Sequence, residues 1–65
     1  MTLEQIKSAV DAGHKVHWKS EAYIVRKDGD GQYFITCPST NYAIGLTWQD
    51  NTTMNGQPKD FYVVA

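Results

Sequence analysis

Two histidines and two aspartates have spacings that could bind a metal ion. His14 and His17 stand three residues apart, and Asp28-Gly29-Asp30-Gly31 begins like a calcium-binding loop. Such a loop has glycine as its sixth residue and glutamate as its twelfth, whereas this chain has Tyr33 and Ser39 there. We therefore interpret 28–31 as a hairpin turn, because Asp-Gly readily adopts the backbone angles of tight turns.

The two histidines follow Gly13, a residue that can end the N-terminal helix. In an extended segment, residues three apart point to opposite faces, so His14 and His17 are not expected to bind one metal ion. We expect both to lie at the surface or near the helix cap. The sequence predicts neither a metal nor a cofactor.

The single cysteine could act as a nucleophile only beside a base and an oxyanion hole. Cys37 ends an apolar run directly before Pro38, and the sequence indicates no such base. A lone cysteine in a strand usually packs as a small apolar residue. We therefore predict no catalytic residue and expect that the protein is not an enzyme.

Aromatic side chains are the residues best suited to binding. The eight aromatic residues are too many for one face of a small sheet: Trp18, Tyr23, Tyr33, Phe34, Tyr42, Trp48, Phe61 and Tyr62. Neighbours in a strand point to opposite faces, so the pairs Tyr33-Phe34 and Phe61-Tyr62 must each divide between core and surface.

The outward aromatic side chains allow three interpretations. They could simply pair across strands and stabilise the sheet, or they could form a protein interface, where tyrosine and tryptophan are enriched. They could also stack on bases beside a patch of Lys19, Arg26 and Lys27, as in single-strand binders. The candidate binding residues are Trp48, Tyr62, Tyr33, Lys19, Arg26 and Lys27.

One helix and a series of strands must position these residues. Thr2 and Gln5 fit a capping box, and apolar residues at helical spacing up to Gly13 predict a helix over about 3–12. Strands are predicted at 16–19, 22–27, 32–37, 42–47 and 61–64, with further turns at 38–41, 49–51 and 55–56. The fold class is α+β: one domain over 1–65, in which a short N-terminal helix packs on a curled antiparallel sheet of four to five strands.

The two periodicities also predict which side chains form the core. These residues are Leu3, Ile6, Val10, Trp18, Ile24, Ile35, Ile44, Leu46 and Val63.

Composition restricts the class of protein further. The net charge of −1 argues against a dedicated nucleic-acid binder, which usually has a basic face. One cysteine cannot form an intramolecular disulfide, which is typical of proteins in a reducing compartment. There is no apolar run of about 18 residues, so no membrane span is predicted. We expect a cytoplasmic protein.

Several segments resemble those of a group of short uncharacterised proteins encoded in bacterial chromosomes, plasmids and phages. They are VHWKSEAYIVRKD, GQYFITC, IGLTWQDNTTMNG and DFYV, which together cover most of the chain. The resemblance implies a cytosolic accessory protein that could be carried on a mobile element. It assigns no site residues.

We expect a non-enzymatic interaction module that binds a protein partner or itself, in the second case as a homodimer. A mobile-element origin would suit an inhibitor of a host protein. The final segment 61–64 carries no charge, so it would invite strand pairing if it formed a sheet edge. The alternative is a small domain that binds a nucleotide or single-stranded nucleic acid.

Overall fold

One helix and five strands build the fold. The computed structural model describes residues 1–50 and 52–64. Its elements in chain order are α1 (Leu3–Asp11), β1 (Val16–Trp18), β2 (Ser20–Lys27), β3 (Tyr33–Cys37), β4 (Tyr42–Gly45), a 3-10 turn (Pro58–Asp60) and β5 (Phe61–Val63). The predicted fold class is confirmed. The turn predicted at 49–51 includes Asn51, which lies outside the described residues.

The capping box at the start of α1 forms as predicted. The Gln5 N–H donates to Thr2 Oγ1 at 3.2 Å, and the Thr2 N–H donates to Gln5 Oε1 at 2.9 Å. The helix ends at Asp11, and Gly13 then adopts a φ of +87° that glycine tolerates best. Within the described part of the chain, no helix is long and apolar enough to cross a membrane.

The sheet is antiparallel, with the strand order β4-β3-β2-β1-β5. The first four strands form a meander, and β5 returns to pair with β1, where Val16 lies opposite Val63 and His17 opposite Tyr62. The edge strands are therefore β4 and β5.

Two different turns connect the central strands. Between β2 and β3, Asp28 Oδ1 accepts hydrogen bonds from the N–H groups of Asp30 and Gln32, both at 2.9 Å. This confirms the predicted hairpin. Between β1 and β2 the chain reverses at Lys19, whose φ is +65°, and a bulge shifts the register between His17 and Trp18.

The core lies between α1 and one face of the sheet. Its buried members come from the helix, from four segments of the sheet and from the residue after β4: Ile6, Val16, Val25, Ile35, Leu46 and Phe61. Leu3, Val10, Trp18 and Ile44 are partly buried against this cluster. The helix packs mainly on β1 and β2.

Two of the predicted core residues lie elsewhere. Ile24 pairs with His17 and Thr36 on the face opposite α1, and Val25 takes the core position instead. The apolar run 22–25 has no alternation, so the pairing of the strands decides which residues face the core. Val63 lies in the edge strand and is 37% exposed.

Candidate binding surfaces

The six predicted binding residues do not form one site. Tyr33 and Trp48 line a common cleft beside α1, and Lys27 lies against the Tyr33 ring. Tyr62 is on β5, at the other side of the sheet. Lys19 lies next to the start of β5, where its N–H donates to the Asp60 carbonyl at 2.9 Å, and Arg26 lies on the face of the sheet opposite Tyr33.

The predicted basic patch is divided by the geometry of β2. Arg26 lies opposite Phe34 and Lys27 opposite Tyr33, so the two cations point to opposite faces of the sheet. Lys19 lies before the start of β2, about 20–25 Å away along an extended strand. Its Nζ is 4.5 Å from the centroid of the Trp18 ring. The three side chains therefore offer no common basic surface.

The cleft beside α1 has a volume of about 320 Å³, within the range of small-ligand sites. Its lining comes from three parts of the chain: Lys7 of the helix, residues 31–34 at the hairpin and the start of β3, and residues 45–49 at and after the end of β4. Trp48 is 63% exposed, which is unusual for so large an apolar side chain.

A hydrogen-bonded cluster holds the side chain of Tyr33, which lines this cleft. Tyr33 Oη donates to Asp11 Oδ1 at 2.7 Å, and Lys27 Nζ lies 3.3 Å from the same oxygen. The hydrogen bond from Tyr33, helped by Lys27, holds the pKa of Asp11 below its ordinary value. The same bond raises the pKa of Tyr33, and Asp11 raises the pKa of Lys27. At neutral pH the cluster therefore contains a carboxylate, a neutral phenol and an ammonium group.

The loop that carries Trp48 is held by its own hydrogen bonds. The Trp48 N–H donates to the Thr53 carbonyl at 2.8 Å, and the Asn55 N–H donates to the Leu46 carbonyl at 2.9 Å. Asp50 accepts from the N–H groups of Thr52 and Thr53 and from the Thr53 hydroxyl. These bonds lower the pKa of Asp50, so its carboxylate is charged at neutral pH. Trp48 is thus exposed on a braced loop.

A second cleft shares residues 47–49 with the first. Its volume is about 540 Å³, and it is lined by Asp50 and Asn55 together with residues 47–49. Trp48 therefore lines both a cleft that contains a cation and one that contains a carboxylate.

The surface of β5 is apolar. Tyr62 and Val63 are each 37% exposed, and Val64 is 46% exposed. The Tyr62 ring lies 5.5 Å from the ring of His17 on β1. The prediction that His17 lies at the surface is wrong. His17 is only 6% exposed, because it lies between Ile24 and Tyr62, its partners on the two neighbouring strands. Its Nδ1 is 3.1 Å from the Tyr23 carbonyl oxygen. Of the two histidines, only His14 is exposed.

Cys37 is buried, as predicted for a small apolar residue. Its Sγ lies 3.4 Å from Ser39 Oγ, and hydrogen bonds from Ser39 and Thr40 lower its pKa. Neither neighbour is a general base.

Over residues 1–50 and 52–64, no group of three histidine, cysteine, aspartate or glutamate side chains is placed to hold a metal ion.

Lys7 lines the cleft but is not among the binding residues predicted from the sequence. It lies four residues after Leu3 and next to Ile6, at the margin of the apolar stripe of α1. A lysine in this position can lay its stem over apolar surface while its ammonium group stays near water. That position on the helix was the available signal, although the cleft itself depends on tertiary structure.

Comparison with known proteins places this chain in no family. No family model, curated protein or solved structure matches it. The resemblance to short bacterial, plasmid and phage proteins stays a prediction. What the chain binds is therefore inferred from its own contacts.

Proposed function

We propose that this protein is a non-enzymatic interaction module that binds a second polypeptide strand along β5. The observation that supports it is an uncharged edge strand, Phe61–Val63, whose Tyr62 and Val63 are both exposed. Edge strands present backbone groups that pair with another chain unless they are covered or charged. The partner is a protein, or a second copy of this chain in a homodimer.

The hydrogen-bond pattern shows which backbone groups β5 offers. The Lys19 N–H donates to the Asp60 carbonyl at 2.9 Å, and the register continues to the pair His17–Tyr62. Residues in an antiparallel strand alternate between facing the partner strand and facing away from it. The backbone N–H and C=O of Val63 therefore face away from β1, where an added strand would pair.

The opposite edge of the sheet is better protected. Asn55 Nδ2 donates a 2.7 Å hydrogen bond to the Gly45 carbonyl at the end of β4, and the braced loop begins directly after it. Tyr42 at the other end of β4 is 41% exposed. Strand addition is consequently favoured at β5 rather than at β4. The exposed side chains of Tyr62 and Val64 lie on either side of Val63 along the chain.

Val63→Pro tests the proposal at the backbone. Proline removes the outward N–H of Val63 but no hydrogen bond to β1, and such positions on edge strands tolerate proline. The matched control is Val63→Thr, which keeps both the N–H and the β-branched shape. We expect wild type and Val63→Thr to form a dimer at tens of micromolar, or to retain a partner captured from lysate, and Val63→Pro to lose that association.

Sedimentation and thermal melting together decide the result. The expected pattern is a loss of association in Val63→Pro and in Tyr62→Asp, with Val63→Pro melting within a few degrees of Val63→Thr. A wild-type chain that remains monomeric and retains no protein would overturn the proposal. So would association that persists unchanged in both variants, since it would place the interface elsewhere.

A further inference from the structure

We propose that the cleft between Lys7 and Trp48 binds a nucleoside phosphate. This site lies beside α1, β3 and the end of β4, whereas the proposed interaction strand β5 is at the opposite side of the sheet. The two activities are therefore independent. A mononucleotide is also a smaller ligand than the nucleic-acid strand that a continuous basic surface would bind.

Charge decides which of the two clefts an anion would enter. Lys7 lines the first cleft, and none of the described residues that line it carries a carboxylate. The second cleft contains Asp50 and no described cation. A phosphate group is thus attracted to the first cleft and repelled from the second.

Lys7 has an available positive charge. Its Nζ lies 5.5 Å from the centroid of the Tyr33 ring, and Lys27 Nζ lies at the same distance from that ring. Among the described residues, Lys27 forms an ion pair with Asp11, whereas Lys7 forms none. The half-buried Lys7 is therefore the group that would bind the phosphate, because the charge of Lys27 is paired with that of Asp11.

The remaining walls suit a heterocyclic base. The exposed indole of Trp48 offers a flat face for stacking, and Tyr33 is a second aromatic residue in the lining. Gln32 and Gln49 contribute carboxamides, each of which can both donate and accept hydrogen bonds. The volume of about 320 Å³ accommodates one nucleotide rather than a longer strand.

The chain contains two tryptophans, so the indole N–H signals in an NMR spectrum report the site directly. We expect the Trp48 signal to shift on titration with adenosine, guanosine, cytidine or uridine monophosphate, and the Trp18 signal to stay in place. Titration with adenosine tests the contribution of the base alone, and titration with inorganic phosphate tests that of the anion alone. Each should bind more weakly than the intact nucleotide.

Lys7→Gln should weaken binding of the preferred nucleotide about tenfold or more, because a charge-assisted contact is lost. Lys59→Gln, on the 3-10 turn, is the matched control and should leave the affinity unchanged. A Trp48 signal that stays in place with all four nucleotides at millimolar concentration would overturn the proposal. An oligonucleotide that binds when mononucleotides do not would also overturn it, in favour of a nucleic-acid surface.

Discussion

Tyr33 Oη donates a hydrogen bond of 2.7 Å to Asp11 Oδ1, which joins the start of β3 to the last residue of α1. Lys27 at the end of β2 contacts the same oxygen at 3.3 Å. Three elements therefore meet at one carboxylate beside the cleft. Because α1 carries Lys7 and the β2–β3 hairpin carries Gly31 and Gln32, this contact positions two parts of the lining of the proposed nucleotide site relative to each other.

The lowered pKa of Asp11 predicts a pH dependence of this contact. A carboxylate whose pKa falls on folding stabilises the protein above its unfolded pKa, near 3.8, and loses that effect as the pH falls through the folded pKa. Tyr33→Phe removes the main cause of the shift, so the pKa of Asp11 should rise towards its ordinary value in a carboxyl NMR titration. Tyr62→Phe is the control and should leave it unchanged. An Asp11 pKa unaffected by Tyr33→Phe would contradict this assignment.

The two faces of the sheet should respond differently to the same truncation. Ile35 is fully buried in the core, so Ile35→Ala should lower the free energy of unfolding by about 2–5 kcal/mol. Ile24 is half-buried on the opposite face, and Ile24→Ala should cost less than about 2 kcal/mol. Urea denaturation of both variants measures the difference. Equal losses would mean that the face opposite α1 is as well packed as the core.

Helix and hairpin positions were predictable because local chemistry determines them. The capping box at Thr2 and Gln5 and the Asp-Gly turn at 28–31 both form, since each depends on residues close in sequence. Which residues of β2 face the core was not predictable from the sequence. Ile24 and Val25 are both β-branched and adjacent, and the pairing with β3, which sets Val25 opposite the buried Ile35, decides between them.

The candidate site was less predictable than the fold. The chemistry of Tyr33 and Trp48 makes both candidates from the sequence alone, but their common cleft also includes Lys7, which is distant in sequence. The predicted basic patch does not form, because successive side chains of β2 alternate between the two faces of the sheet and this separates Arg26 from Lys27. Residue type identified candidate groups, whereas strand pairing and helix docking determined which of them meet.

The amide of Asn55 should hold the loop that carries Trp48. Asn55→Ala removes the 2.7 Å hydrogen bond to the Gly45 carbonyl and should cost about 1 kcal/mol of stability. The backbone N–H groups of Trp48 and Asn55 should then exchange faster with deuterium. Gln57→Ala is the control, because the Gln57 side chain makes no capping hydrogen bond. Unchanged exchange at Trp48 in the Asn55 variant would show that the loop is braced by its other bonds.

Metal removal should not affect stability. Asp28, the first residue of the calcium-like sequence, already accepts two backbone N–H groups through Oδ1, and His17 is buried apart from the exposed His14. Dialysis against a strong chelator should therefore leave the melting temperature unchanged. A clear decrease that is reversed by adding calcium or zinc would contradict this expectation.

Gly56 should be the least replaceable glycine in the loop region. A Cβ at this position would collide with Trp18 Nε1 and lie 3.2 Å from Phe61 Cε1. Both neighbours are rings in the packed part of the sheet, so neither can move aside freely. Gly56→Ala should therefore lower the free energy of unfolding by about 1–3 kcal/mol.

Gly29 provides the matched control for that substitution. A Cβ on Gly29 would meet no atom within 4 Å, and Gly29→Ala should change stability by less than about 0.5 kcal/mol. The indole N–H signal of Trp18 gives a second readout, since overpacking at Gly56 should shift it and Gly29→Ala should not. If both variants unfold at the same urea concentration as wild type, Trp18 is free to move away, and the packing of β1 against residue 56 is looser than the structure indicates.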